Sequence, residues 1–160
     1  MNLVPLDVIQ RRADANAFDI DQIDWSRGVD FTKRFFPDHL TPLYHTPVYG
    51  ELTEEERLYY NQTLGCSVNE HFIFLEDRFL LKFLDGFKRF KQVPLSKGLQ
   101  DALVGFAEEE VKHTEMFRKL ARMTLPERYA KDDFHFVRLG RLESFGLDLL
   151  ARRPDLFPFW

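Results

Sequence analysis

The pattern of hydrophobic and polar positions divides the chain near residue 53. Before that point, helix-breaking prolines are spread among aromatic residues: Pro5, Pro37, Pro42 and Pro47. We therefore predict an irregular N-terminal arm over residues 1–52, with at most short helices such as 20–27 or 31–36. Beyond the arm, apolar residues recur at spacings of three and four, which is the period of an amphipathic α-helix.

Capping residues mark the starts of two long helices. Thr53 and Glu56 form a capping box, in which the hydroxyl accepts from a backbone N–H and the carboxylate reaches back. Ser96 is the predicted N-cap of the second helix, and Gly65 is a weak point within the first. The pattern predicts an all-α fold, with these elements in order: the arm (1–52), a hairpin of two long antiparallel helices (53–123, with helices over 54–86 and 97–123), and a segment (124–160) with a loop, a third helix over 136–151 and an aromatic tail.

Composition is that of a globular protein with a single domain. The 160 residues suit one domain, and 44% of them are apolar. The net charge of −4 gives no sign of binding to nucleic acid or to an anionic membrane. Cys66 is the single cysteine, which fits a reducing compartment. The sequence shows no signal peptide and no apolar run of about 18 residues, so we predict a cytoplasmic protein without a membrane span.

The candidate chemistry begins with a Glu-x-x-His motif formed by Glu110 and His113. On a helical wheel of about 100° per residue, Glu110 lies within an apolar stripe and His113 at its edge. Glu108 and Glu109 fall on the polar side of the same helix. A spacing of three residues aims both side chains of the motif at one point. Of these neighbouring glutamates, the one that faces the core is therefore the one paired with a histidine.

Glu76 is the predicted partner of this motif on the first helix. It shares its stripe with apolar side chains: Phe72, Ile73, Phe79, Leu80, Phe83 and Phe87. An ionised carboxylate in such a place is costly unless it is paired or binds a metal. Two core-facing glutamates with a histidine form half of the ligand set of ferritin-like di-metal bundles, and these ligands suit iron or manganese. We predict that Glu76, Glu110 and His113 are metal ligands, and we assign no catalytic residue.

Simpler interpretations of the same residues stay open. A tyrosine or backbone donor from the arm would also satisfy a buried Glu76, and His113 would also fit as a hydrogen-bonded core histidine. We predict that Glu70 and His71 lie at the surface or at most behind the ligands, because they point away from the stripe. Cys66 fits a small buried apolar residue. Other histidines lie in irregular segments and receive no role: His39, His45 and His135.

Three stretches of the chain resemble the di-iron N-oxygenases typified by p-aminobenzoate N-oxygenase, within the ferritin-like superfamily. They are residues 46–57, 69–76 and 108–117, and the resemblance runs from about Phe31 to the C-terminus. It implies a ferritin-like helical bundle and a di-iron centre that activates O2 and oxidises an aryl amine toward a hydroxylamine or nitro compound. It also implies that Glu76 is the first-helix ligand and that Glu110 and His113 are the second-helix pair.

The same resemblance implies ligands that this sequence does not supply. The family's site takes another glutamate from a third helix and a second Glu-x-x-His from a fourth. Glu143 and Asp148 lie on the predicted third helix, but no such motif follows them. The chain thus resembles the N-terminal half of the family's domain, and we expect a homodimer or a missing C-terminal half to complete a site for a small-molecule substrate. The alternatives are a non-catalytic truncated fragment and a metal-binding ferritin-like module.

Overall fold

The computed structural model describes residues 4–88 and 95–153, which form helices joined by turns. Its α-helices are α1 (Leu6–Asn16), α2 (Pro47–Glu51), α3 (Glu54–Ile73), α4 (Leu81–Lys88), α5 (Lys97–Thr124) and α6 (Arg141–Arg152). A π-helical segment, Phe74–Leu80, joins α3 to α4. No strand occurs in the two described ranges, and the predicted all-α class is confirmed.

The predicted starts of both long helices are confirmed. The Thr53 N–H donates to Glu56 Oε2 at 2.8 Å, and the Glu56 N–H donates to Thr53 Oγ1 at 3.3 Å. At the start of α5, the Leu99 N–H donates to the Ser96 hydroxyl oxygen at 3.3 Å. Helix α3 runs through Gly65 without a break. A Cβ atom at Gly65 would lie 2.8 Å from the Cβ of Phe35, so glycine is needed here for close packing.

The N-terminal arm is more regular than predicted. It contains α1, which was not predicted. Pro5 is the N-cap of this helix and leaves the helix intact. Short 3-10 turns follow at Ile20–Gln22, Trp25–Arg27, Asp38–Leu40 and Pro42–His45. The helix predicted over 31–36 is wrong, since those residues form turns and bends. There, the backbone N–H groups of Phe35 and Phe36 donate to Asn61 at 2.8 and 3.0 Å.

The chain divides into two compact units. Unit 1 comprises Met1–Asp24, Ile73–Met116 and Leu139–Trp160, and unit 2 comprises Trp25–Phe72 and Phe117–Arg138. In unit 1, α4 packs against α6, and an ion pair of Lys82 with Asp148 joins the two helices. In unit 2, Asn61 is fully buried on α3 and binds the backbone of the arm. The prediction of a single ferritin-like domain, or its N-terminal half, stays a prediction.

The third predicted helix begins at Arg141 rather than at residue 136. The backbone N–H groups of Phe136 and Val137 donate to the Glu70 carboxylate, which holds this segment outside a helix. The first helix was predicted to end at residue 86, whereas α4 continues to Lys88. The predicted aromatic tail over 155–160 lies outside the described residues. Within the described part of the chain, no helix combines the length and the apolar character that a membrane span requires.

Candidate metal centre

Glu76 lies in the π-helical segment that interrupts the first long helix. The Leu81 N–H donates to the carbonyl of Glu76, five residues earlier, whereas an α-helix would use a spacing of four. A π turn holds an additional residue, so later side chains lag by about 100° behind the α-helical phase. Leu84 therefore takes the position on the helix that the predicted stripe assigned to Phe83. Leu84 is buried, whereas Phe83 is only partly buried. Phe72 also departs from the predicted stripe, with 43% of its surface exposed.

The three predicted ligands come together within unit 1. Glu76, Glu110 and His113 each offer one ligand atom, and these atoms lie within 4.8 Å of one another. The two glutamates are 6% and 8% exposed, while the His113 side chain is 35% exposed. His113 Nδ1 lies 3.7 Å from Glu110 Oε2. Helical spacing thus predicted which side chains meet, while their role as metal ligands stays a prediction.

The electrostatics of this cluster favour a bound cation. Burial raises the pKa of the Glu76 carboxyl, and the neighbouring Glu110 carboxylate raises that pKa further. Lys112, which lies nearby in the sequence, pairs with Glu109 at 2.7 Å and is partly exposed. A divalent cation would reverse the effect of burial on Glu76, because it favours the ionised form of this carboxyl group. Two carboxylates and an imidazole form a donor set that fits iron or manganese.

Two side chains beside the cluster were not predicted to have a role. The Thr114 hydroxyl donates to Glu76 Oε2 at 3.2 Å, and both residues are buried. The ring of Phe18 stacks on that of His113, with centroids 5.8 Å apart and planes inclined by 19°. Thr114 lies four residues after Glu110 and so shares its helical stripe, which is a usable signal in the sequence. Phe18 carries no signal in the sequence, because its contact depends on how the arm folds back.

Glu70 is a second buried carboxylate, and it lies in unit 2. The prediction that it lies at the surface is wrong, since its exposure is 0%. The hydroxyl of Tyr129 donates to Glu70 Oε1 at 2.6 Å. Backbone N–H groups of His135, Phe136 and Val137 donate to the same carboxylate at 2.8, 2.6 and 2.8 Å. The loop after α5 therefore covers Glu70 and supplies donors that stabilise its negative charge.

The other candidate residues do not join the cluster. His71 is exposed and its ring contacts the Ser67 carbonyl oxygen at 2.7 Å. Glu143 accepts from the Gly140 N–H at 2.7 Å at the start of α6. Asp148, also on α6, pairs with Lys82 as described above.

Cys66 is buried as the sequence indicated, and the remaining histidines lie in turns or loops. Cys66 is a free, buried cysteine, as predicted, and burial raises the pKa of its thiol. His39 and His45 lie in or beside 3-10 turns, where the His45 ring contacts the His39 carbonyl oxygen at 2.9 Å. His135 lies in the loop that covers Glu70, and its ring contacts that of Phe136 edge to face. None of these side chains belongs to the candidate ligand cluster found among the described residues.

Unit 2 contains a cavity of about 300 Å³ that is lined mainly by apolar and aromatic side chains. Two of these, Phe72 and Phe117, stack with their ring centroids 5.1 Å apart. Asn69 also lines the cavity, and its Nδ2 donates to the Phe117 carbonyl at 3.0 Å. The buried Oδ1 of Asn69 accepts a hydrogen bond from no group in residues 4–88 or 95–153. This oxygen is an open acceptor in an otherwise apolar setting.

Comparison with known proteins supports the family suggested by the sequence. The profile of the family described as P-aminobenzoate N-oxygenase AurF matches residues 6–144. The match begins before Phe31, where the sequence resemblance was taken to start. No curated protein and no solved structure gives a significant match. With the helical structure, the family match confirms the predicted ferritin-like fold class. The chain belongs to the p-aminobenzoate N-oxygenase AurF family, which is a family of di-iron enzymes.

Proposed function

We propose that this protein is an O2-dependent oxidoreductase of the di-iron carboxylate type that oxidises the nitrogen of an aryl amine. The strongest support is the buried cluster of Glu76, Glu110 and His113, whose ligand atoms lie within 4.8 Å of one another. Buried acidic groups of this kind are destabilising unless something compensates their charge. Metal coordination provides that compensation, and the family match favours iron as the metal.

These residues would hold the metal through two carboxylates and one imidazole. A di-iron centre supplies O2-dependent oxidation when it is bound, and manganese is compatible with the same ligands. The protein's own contribution is to hold the two carboxylates in place in a site of low water content. Glu76 and Glu110 are suited to this because less than a tenth of each residue is exposed.

The remaining ligands must come from elsewhere, because one Glu and one Glu-x-x-His are half of the set that a di-iron bundle uses. We propose that a second copy of this chain or a C-terminal half supplies them. In a two-fold symmetric dimer, each copy would give the same three ligands, and closed two-fold pairing is the commonest form of association. Solution mass measured with and without iron tests this, since a monomer that binds no iron would contradict the dimer.

A single-ring aryl amine is the substrate class that we propose. The cavity of unit 2, at about 300 Å³, is apolar and rich in aromatic side chains. A dry cavity of roughly 150 Å³ suffices for benzene, so this volume accepts a substituted ring. An amine N–H is the complementary donor for the open Oδ1 of Asn69. These features support an aromatic ligand that carries a nitrogen donor.

The test is to load the purified chain with Fe²⁺ without oxygen and then add p-aminobenzoate, O2 and a chemical reductant. We expect iron to bind and an N-oxygenated product to appear by mass spectrometry. Glu110→Ala and His113→Ala should abolish both, because each removes a ligand. Glu108→Ala is the matched control, since Glu108 is an exposed glutamate of the same helix.

The outcomes separate the proposal from its alternatives. Iron binding without any oxidised product would favour a metal-binding ferritin-like module. Wild-type protein that binds no iron, alone or as an oligomer, would contradict a metal function and favour a non-catalytic fragment. Equal iron content in wild type and both ligand variants would show that the assigned residues are wrong.

A further inference from the structure

Thr114 is a buried polar residue whose hydroxyl is directed at a candidate ligand. It follows His113 on α5 and is 2% exposed. Its Oγ1 donates to Glu76 Oε2 at 3.2 Å, and the two residues lie 38 positions apart in the sequence. Thr114 is also four residues after Glu110, so the two share one face of α5. That face of α5 therefore carries the candidate ligand Glu110 and also Thr114, which donates to the candidate ligand Glu76.

A second threonine on α5 uses its hydroxyl differently. Thr124 is also buried, with 7% of its surface exposed. Its hydroxyl donates to the carbonyl of Leu120, four residues earlier, at 2.8 Å. Such a bond to the preceding turn is how threonine commonly satisfies its hydroxyl within a helix. A hydroxyl has one proton to donate. Thr124 donates it to a carbonyl of its own helix, whereas Thr114 donates it to the Glu76 carboxylate.

We propose that Thr114 is a positioning residue of the metal centre, whose hydroxyl holds the Glu76 carboxylate in the orientation that a metal ion needs. This inference rests on the proposed function, because orientation matters only if Glu76 binds metal. The hydroxyl engages Oε2 and so restricts rotation of the carboxylate about its terminal bond. Groups that hydrogen-bond a ligand in this way commonly change metal affinity by about 10- to 100-fold.

The experiment is a Co²⁺ titration of the full chain, because Co²⁺ binding gives a visible absorption band that is sensitive to ligand geometry. Thr114→Val keeps the shape of the side chain and removes the donor. We expect it to weaken Co²⁺ binding by about 10- to 100-fold and to alter the band. Thr114→Ser should retain the affinity and band of the wild type. Thr124→Val, the matched control, should leave both unchanged.

Each outcome of the titration either supports or overturns the positioning role of Thr114. Equal affinity and equal spectra for wild type and Thr114→Val would overturn the positioning role while leaving the proposed function intact. A wild-type chain that binds no Co²⁺ would overturn the proposed function, and this inference with it. If Thr114→Val does not fold by circular dichroism, Thr114→Ala and Thr114→Ser replace it. Loss of affinity in the alanine variant alone then supports the role, and equal affinity overturns it.

Discussion

Glu70 and Glu76 are two buried carboxylates six residues apart in the sequence, and their surroundings differ in one decisive respect. Glu70, in unit 2, is fully buried and receives four hydrogen bonds from Tyr129 and three backbone N–H groups. Glu76, in unit 1, is also buried, but its neighbours include a second carboxylate, Glu110. Hydrogen-bond donors of the protein surround the Glu70 carboxylate, whereas the Glu76 carboxylate lies beside a second acidic group.

This difference shows how a structural carboxylate is distinguished from a candidate ligand. Burial alone does not separate them, since both are below a tenth exposed. The distinction lies in the donors. A carboxylate that accepts several N–H and O–H bonds keeps its charge without a metal. One that faces another carboxylate, with a histidine at its side, gains most from a cation.

Glu70→Ala gives the largest expected loss of stability. It would leave three backbone N–H groups and the Tyr129 hydroxyl without their acceptor. We expect the free energy of unfolding to fall by about 3–5 kcal/mol, because each buried donor left unsatisfied is costly. Urea unfolding of the metal-free protein, followed by circular dichroism, measures it. We call Glu70 and its four hydrogen-bond donors the Glu70 clamp. A loss below about 1 kcal/mol would show that these hydrogen bonds stabilise the fold little, and it would remove the contrast with Glu76.

Tyr129→Phe is a milder test of the same clamp. It removes one donor to Glu70 and leaves the three backbone donors in place. We expect a loss of about 1.5–3 kcal/mol, the usual contribution of a hydrogen bond to a charged group. The exposed Tyr59→Phe is the matched control and should change the free energy of unfolding little, since that side chain is 72% exposed. Equal effects of the two substitutions would argue against a specific role for the Tyr129 hydroxyl.

Glu76→Gln should act in the opposite direction in metal-free protein. It removes a buried charge beside Glu110 while keeping the side-chain volume. We expect the free energy of unfolding to stay within about 1 kcal/mol of the wild-type value or to rise, since unpaired buried charge opposes folding. The same urea experiment measures the change, and a loss as large as that of Glu70→Ala would show that the two carboxylates play similar structural roles.

The smallest expected effect is a pH dependence of metal-free stability. The folded-state pKa of Glu76 is raised above its ordinary value by burial and then by Glu110. Between the unfolded and the folded pKa of Glu76, the folded protein therefore binds more protons than the unfolded chain. In that range the free energy of unfolding falls as pH rises. The contribution is complete below the unfolded pKa and is lost as pH passes the folded pKa. Glu76→Gln should remove this part of the pH profile in unfolding experiments, and an unchanged profile would place the titration elsewhere.

The sequence was informative where the determinants of structure are local. Capping at Thr53 and Ser96 predicted the starts of α3 and α5, because a cap involves only a few neighbouring residues. The assembly of Glu76 with Glu110 and His113 followed from helical spacing, which depends on each helix alone. These features needed no knowledge of the loops.

The features that were missed depend on distant parts of the chain or on an irregular backbone. Glu70 is buried by a loop whose donors lie 59 to 67 residues later, and no helical wheel contains that information. Phe18 reaches His113 only because of how the arm folds. The π turn changed the phase of the helix after Glu76, so the predicted stripe failed at Phe83. Phe72, which precedes the π turn, is exposed as well.

The π-helical segment, Phe74–Leu80, also bears on how this helix accommodates changes of length during evolution. In an α-helix, deleting one residue rotates every later side chain by about 100°, which usually destroys packing. Here, deleting one residue would restore regular α-helical hydrogen bonding. Leu84 would keep its buried position, because that position is the one a regular helix gives to the residue before it. The packing on either side of this segment should therefore survive the loss of one residue from it.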